Sequence, residues 1–91
     1  PRRQAVAIYA SALLTAGRPD EALSWARRAQ EIPAEDIRSR VVAARVLAAA
    51  LAANGERPEA RRAADEAVRL AYATEQVSER AAADEIRASL D

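Results

Sequence analysis

The chain has no cysteine, histidine, methionine, phenylalanine or lysine, and only two glycines. The absence of cysteine excludes disulfides, a thiolate nucleophile and cysteine-based zinc sites. Without histidine, the side chain that most often serves as a general base is missing as well. Both glycines stand where helices are expected to end, so no glycine-rich loop remains to hold a phosphate. The composition therefore argues against an enzyme, and it predicts no cofactor and no metal site.

Charge and hydrophobicity limit the partners. Acidic and basic residues number fourteen each, and the formal net charge is zero. The chain therefore lacks the excess of positive charge that nucleic acids and anionic membranes attract. The longest apolar run, residues 41–53, contains Arg45 and is too short to cross a bilayer. We expect no nucleic acid and no membrane among the partners, and a cytoplasmic location.

The chain repeats itself at a spacing of 38 residues. The segment GRPDEA at 17–22 returns as GERPEA at 55–60. Five further positions match at the same spacing: Tyr9, Leu13, Ala26, Ala29 and Ile32 correspond to Leu47, Leu51, Ala64, Ala67 and Leu70. A fixed period in this range is typical of helical repeat arrays, whose stacked hairpins form extended binding surfaces.

Helix signals divide the chain into five predicted helices. Gly17 and Gly55 suit left-handed caps, and Pro19 suits the first position of the helix after Gly17. Pro33 ends the second helix, and Thr74 is the expected cap of the fifth. The predicted helices cover residues 3–16, 19–32, 34–54, 58–72 and 75–90. The sequence therefore predicts an all-α fold, an α-solenoid of two hairpins, 3–32 and 34–72, followed by a capping helix at 75–90.

Apolar spacing predicts how these helices pack. One stripe of the first helix is expected to face the core: Ala5, Ile8, Tyr9, Ala12, Leu13 and Ala16. The third helix carries two adjacent apolar stripes, so we expect it to be the central helix. Small side chains should let the helices of each hairpin approach closely, at Ala22, Ala26, Ala29, Ala60, Ala64 and Ala67. Tyr9, Trp25 and Tyr72 are interpreted as filling seams between hairpins, with interaction anchors as the alternative.

The repeated residues resemble the tetratricopeptide repeat (TPR). Large apolar residues stand eight and four positions before each glycine, alanine stands five positions after it, and the series Ala-x3-Ala-x2-Ala begins there. The resemblance covers roughly residues 3–72 and implies a right-handed superhelix. The family period is about 34 residues, so the longer period here is expected to lengthen the third helix. Val6 and Ala44 occupy the positions where the family carries tryptophan.

A further resemblance concerns the parent protein. Long, alanine- and arginine-rich repeats of this kind are similar to those of large actinobacterial transcriptional regulators. In those proteins a helical repeat arm is joined to a nucleotide-binding switch or a DNA-binding domain. Because the chain also begins with proline rather than methionine, we expect it to be a segment of a cytoplasmic multidomain protein.

The resemblance also implies a partner-binding concave face, formed by the first helix of each hairpin. By position its residues are Gln4, Ala7, Ser11 and Leu14, together with Val42, Arg45, Ala49 and Ala52. The family's clamp for peptide carboxylates uses lysine and asparagine here, and in this chain only Arg45 is suited to meet an anion. The alternative is that the apolar members of this set pack against neighbouring helices.

Taken together, the resemblance implies a non-catalytic module for protein–protein interaction or intramolecular regulation. Its partner would be a protein, a peptide or another domain of the same protein. Two repeats are fewer than the three or so that such arrays need for stability, so homodimerisation, or a purely structural spacer, is the main alternative. An enzyme or a nucleic-acid binder is the alternative of another class, which the composition disfavours.

Overall fold

The computed structural model describes residues 2–73 and 77–90, and all of their regular structure is helical. Its five helices are α1 Arg3–Thr15, α2 Pro19–Glu31, α3 Ile37–Ala53, α4 Arg57–Tyr72 and α5 Val77–Ala88. The prediction of an all-α chain with five helices is confirmed. Thr74, the expected cap of α5, lies outside the described residues.

Helix α3 is the centre of the fold, as predicted, because it packs against each of the other four helices. Helices α1 and α2 pack against each other and form hairpin 1, while α3 and α4 form hairpin 2. Helix α5 packs against both helices of hairpin 2. In the repeat register Val41 is the counterpart of Arg3, where α1 begins, yet α3 begins at Ile37, four residues earlier. The extra length of the repeat therefore lies in the third helix.

The start of α3 differs from the predicted position at Ala34. The side chain of Asp36 accepts a hydrogen bond from the backbone N–H of Ser39 at 2.8 Å. The hydroxyl of Ser39 in turn accepts one from the backbone N–H of Asp36 at 3.1 Å. This reciprocal capping box satisfies two backbone donors at the helix end. It sets the first residue of α3 at Ile37 and leaves residues 32–36 as a connection.

Both glycines end their helices in the left-handed conformation, with φ of +77° at Gly17 and +79° at Gly55. In each turn the residue after the glycine donates its N–H back to the helix, from Arg18 to Leu13 O at 3.0 Å and from Glu56 to Leu51 O at 2.9 Å. These bonds satisfy carbonyls that the helix end would otherwise leave without partners. The predicted caps are confirmed.

Replacing either glycine with alanine is expected to lower the free energy of unfolding by about 1–2 kcal/mol, the cost of a left-handed backbone for an L-residue. An added Cβ would meet no atom within 4 Å at either position, so the loss comes from the backbone alone. Urea denaturation measures it. Gly55→Asn should lose less than Gly55→Ala, because asparagine tolerates this conformation better. If all variants were as stable as the native chain, the left-handed conformation at these two glycines would be contradicted.

The core is built largely from alanine. The six alanines predicted to let the hairpin helices approach are all at most 1% exposed: Ala22, Ala26, Ala29, Ala60, Ala64 and Ala67. The first core cluster joins hairpin 1 to α3 and contains Val6, Leu13, Val42 and Val46 among its larger members. Two further clusters join α3 and α4 to the end of the chain, one through Ala83 of α5 and the other through Leu90, just beyond α5.

The predicted core stripe of α1 is wrong except at Leu13. Ile8 and Tyr9 are 54% and 51% exposed, and the alanines of the same stripe are exposed as well: Ala5, Ala12 and Ala16. The buried residues of α1 are Val6, Ala7, Ala10 and Leu13. The reason is that α2 and α3 pack on the side of α1 that carries these residues, and no described helix covers the other side.

Two of the three aromatic residues also differ from expectation. Tyr9 and Tyr72 are more than half exposed, so they do not fill seams between hairpins. Trp25 is partly buried and packs against the first core cluster. The ring of Tyr9 meets Trp25 edge-on, with 5.3 Å between the centroids. The guanidinium of Arg28 lies 5.3 Å from the Trp25 ring centroid, which completes a small aromatic and cationic stack on hairpin 1.

Candidate interaction groove

A groove of about 310 Å³ lies between α3 and α5. Helix α3 contributes Arg45 and Ala49, α5 contributes Ala82, Glu85 and Ile86, and Ser89 follows directly after α5. Its walls are therefore mixed, with an apolar part, a cation, a carboxylate and a hydroxyl. Two of the eight residues predicted for the concave face, Arg45 and Ala49, come together here.

Apolar burial and an ion pair hold α5 in the position that forms the groove. Ala83 and Leu90 are buried against the clusters that α3 and α4 provide. Near its beginning, Glu79 pairs with Arg38 of α3 at 3.4 Å. Just beyond its end, a guanidinium N–H of Arg57 donates to the carbonyl oxygen of Leu90 at 3.0 Å. The second wall of the groove is thus fixed at both ends.

Tyr72 adds a surface contact between α4 and α5. Its hydroxyl donates a hydrogen bond to the carboxylate of Asp84. This hydrogen bond, together with the negative charge of Asp84, raises the pKa of Tyr72, because a phenolate would face a carboxylate. The guanidinium of Arg80 lies 5.4 Å from the Tyr72 ring centroid. Since Tyr72 is largely exposed, we assign this contact a positioning role and little stability.

Arg45 has unused hydrogen-bonding capacity in the groove. Its Nε–H is buried and has no hydrogen-bond partner among the described residues. A buried donor without an acceptor costs about 1–3 kcal/mol. Glu85 lines the same groove, yet the described residues include no ion pair between it and Arg45. The groove is thus lined by an arginine whose charge is not paired with a carboxylate among the described residues.

The other residues predicted for the concave face lie outside the groove. Ala7 and Val42 are buried in the first core cluster, and Leu14 packs against it. Ala52 packs against the third cluster. These four positions match the alternative that apolar members pack against neighbouring helices. Gln4 and Ser11 lie partly buried on α1 and do not line the groove.

The residues of α5 are the part of the groove that sequence reasoning missed. Ala82 and Ile86 stand at helical spacing with the buried Ala83 and Leu90, a pattern that predicts core positions, but both are only partly buried. The sequence signal is the helical spacing of Ala82, Glu85 and Ile86, which Ser89 continues just beyond the end of α5. That signal indicates a shared face, but it does not tell whether the face is covered or lines a groove.

Three further findings bear on the function of the chain. Within residues 2–73 and 77–90, no three histidine, cysteine, aspartate or glutamate side chains are grouped so that they could hold a metal ion. No helix in this described part combines the length and apolar character that crossing a membrane requires. No protein-family model, curated protein or solved structure matches the chain. The groove and the internal repeat are therefore the features from which a function can be inferred.

Proposed function

We propose that this chain is a non-catalytic interaction module, a TPR-like α-solenoid of two hairpins that binds a peptide or a segment of another domain between α3 and α5. Helix packing supports the solenoid: α3 connects hairpin 1 to hairpin 2, and α5 follows on hairpin 2. The resemblance of the sequence supports a place as the helical arm of a cytoplasmic multidomain regulator of actinobacterial type.

The observation that carries the proposal is that Arg45 lines the groove, has no ion-pair partner among the described residues, and keeps a buried Nε–H without an acceptor. Arginine presents a planar set of donors that suits a carboxylate, and such charge-assisted bonds are stronger than neutral ones. Beside it, Ala49, Ala82 and Ile86 provide an apolar surface for an aliphatic side chain. A volume of about 310 Å³ lies at the lower end of the range for small binding sites.

The proposed ligand is therefore a peptide segment that carries an acidic side chain near an aliphatic one. The carboxylate would meet Arg45, and the aliphatic group would cover the alanines and Ile86. Glu85 and Ser89, which lie on the α5 side of the groove, would accept hydrogen bonds from peptide N–H groups. Glu85 would also disfavour a second acidic residue on that side, which gives the groove a direction.

A peptide array tests this proposal. Each peptide carries leucine, isoleucine or valine followed at one to four positions by aspartate or glutamate, and its matched control carries asparagine or glutamine instead. We expect the native chain to retain a subset of the acidic peptides, and Arg45→Met to bind them at least about tenfold more weakly, the equivalent of 1.4 kcal/mol. Arg62→Met, an exposed position on α4, is the matched control and should bind as the native chain does. Binding that ignores the acid, or that survives Arg45→Met, would contradict the proposal.

The same substitution should stabilise the fold. Arg45→Met keeps much of the apolar stem and removes a buried N–H that has no acceptor, so the free energy of unfolding is expected to rise by about 1 kcal/mol. Arg62→Met should change it by less than about 0.5 kcal/mol, as is usual for an exposed site. Urea denaturation of both variants provides the comparison. A loss of stability in Arg45→Met would show that the guanidinium has a structural role, and the groove would then lose its main argument.

A further inference from the structure

Helix α1 exposes an apolar face that none of the groove residues shares. Ala5, Ile8, Tyr9 and Ala12 are all exposed and lie on one side of the helix, at the spacing of a buried helix stripe. We call these four residues the docking face. Next to it, the Tyr9 ring contacts Trp25 of α2. An exposed apolar face on a small chain is a candidate interaction site. Its partner can be inferred if a surface that matches the face is identified.

The internal repeat identifies the matching surface. At the repeat spacing of 38 residues, the four residues of the docking face correspond to Ala43, Val46, Leu47 and Ala50 of α3. In α3, this same face is where the chain packs on hairpin 1. Ala43, Val46 and Ala50 are at most 3% exposed in the first core cluster, and Leu47 packs against it. One stripe thus occurs twice in the chain, once covered by a hairpin and once open.

A second copy of the chain does not fit this face in the head-to-tail manner. Within the chain, hairpin 1 presents one of its surfaces to α3. A second copy would have to present the corresponding surface of its own hairpin 2 to the docking face. In this chain α5 already covers hairpin 2, with Ala83 and Leu90 buried against it. The docking face could contact that surface of the second copy only if α5 of that copy moved away from hairpin 2.

Charge pairing at the boundary between the two hairpins indicates what kind of surface would fit the docking face. Arg27 of α2 pairs with Glu59 of α4 at 3.4 Å, across the junction between the two hairpins. The counterpart of Glu59 in hairpin 1 is Glu21. Glu21 is exposed and pairs only locally in the described structure, with Arg18 three residues before it. A further hairpin would bring the equivalent of Arg27 to Glu21.

We propose that the docking face binds a further helical hairpin, which offers the surface that hairpin 1 offers to α3 and an arginine opposite Glu21. The proposal goes beyond peptide binding in the groove and does not depend on it. It predicts that Ile8 becomes as inaccessible as Val46 when such a hairpin is present.

An extended chain tests this directly. A copy of residues 3–40, one full repeat, is inserted between Arg2 and Arg3, so that the register continues and native residues 3–91 follow. Because the native chain has no cysteine, Ile8→Cys in the native portion provides a single thiol whose alkylation by N-ethylmaleimide reports exposure of the docking face. Val46→Cys in the unextended chain is the buried reference. Ala53→Cys, at an exposed position, is the control in both chains.

We expect Ile8→Cys to react at least about tenfold more slowly in the extended chain, as for a site that reacts only through local opening. Ala53→Cys should react at the same rate in both chains. If the added segment does not fold or does not dock, Ile8→Cys reacts equally fast in both chains, and the proposal is overturned. It is also overturned if the unextended chain forms a dimer in sedimentation equilibrium and its Ile8→Cys reaction slows as concentration rises, because a second copy then occupies the face.

Discussion

Replacing Leu51 with alanine is expected to lower the free energy of unfolding by about 2–5 kcal/mol, the usual cost of truncating a buried leucine. Leu51 is fully buried and is the largest of the fully buried side chains. It lies on the central helix and packs among Ala48, Ala60, Ala64 and Leu90, which come from α3, α4 and the segment after α5. Truncation leaves a cavity where three parts of the fold meet, and alanine neighbours are too short to fill it.

The comparison with Ile8→Ala makes this prediction specific. Ile8 lies on α1 and is more than half exposed, so its truncation should change stability by less than about 0.5 kcal/mol. Urea denaturation followed by circular dichroism measures both variants. A domain of this size has a total stability of about 5–15 kcal/mol, so the loss at Leu51 is a large fraction of it. Equal losses at the two positions would contradict the assignment of α3 as the central helix.

Enlarging the alanines between the helices of each hairpin is the second change with a large expected effect. Ala26→Leu and Ala64→Leu should each lower the free energy of unfolding by about 1–3 kcal/mol, because the added atoms must displace a packed neighbour. Ala26 is 1% exposed and Ala64 is fully buried. The two residues occupy the same position of the repeat, so we expect losses of similar size.

Thermal denaturation is a sufficient measurement for these variants. In a domain of this length, 1 kcal/mol corresponds to a shift of the midpoint by about 4–8 °C. Ala53→Leu is the matched control, since Ala53 lies on the exposed side of α3, and its midpoint should stay close to that of the native chain. If Ala26→Leu and Ala64→Leu also leave the midpoint unchanged, the two helices of a hairpin do not approach as closely as the structure places them.

Much of the fold could be predicted from local sequence patterns such as helix caps and apolar spacing. Gly17 and Gly55 take left-handed conformations because a glycine after an apolar helix has few alternatives that satisfy the last carbonyls. The buried alanines were predictable because they recur at helical spacing in both hairpins. The capping box of Asp36 and Ser39 was missed, since proline at 33 suggested a helix that begins directly after it.

The sequence does not predict which apolar faces are buried, because burial depends on which helices pack against each face. The stripe of Ile8 and Tyr9 has the same spacing as the stripe of Val46 and Leu47, yet one is exposed and the other packs in the core. Periodicity shows that a helix has an apolar face, but whether that face is covered depends on the rest of the fold. The groove raises the same difficulty, because it arises from how α5 lies against Arg45 and Ala49 of α3.

Titration of the chain with one acidic, aliphatic peptide, followed by a heteronuclear amide spectrum, tests the central claim most directly. The proposed binding mode predicts that shift changes concentrate in α3 and α5 around Arg45, Ala49, Glu85 and Ser89, and that Arg45→Met abolishes them. Shift changes confined to other surfaces, or changes at the groove that persist in Arg45→Met, would contradict the claim that this chain binds its partner between α3 and α5.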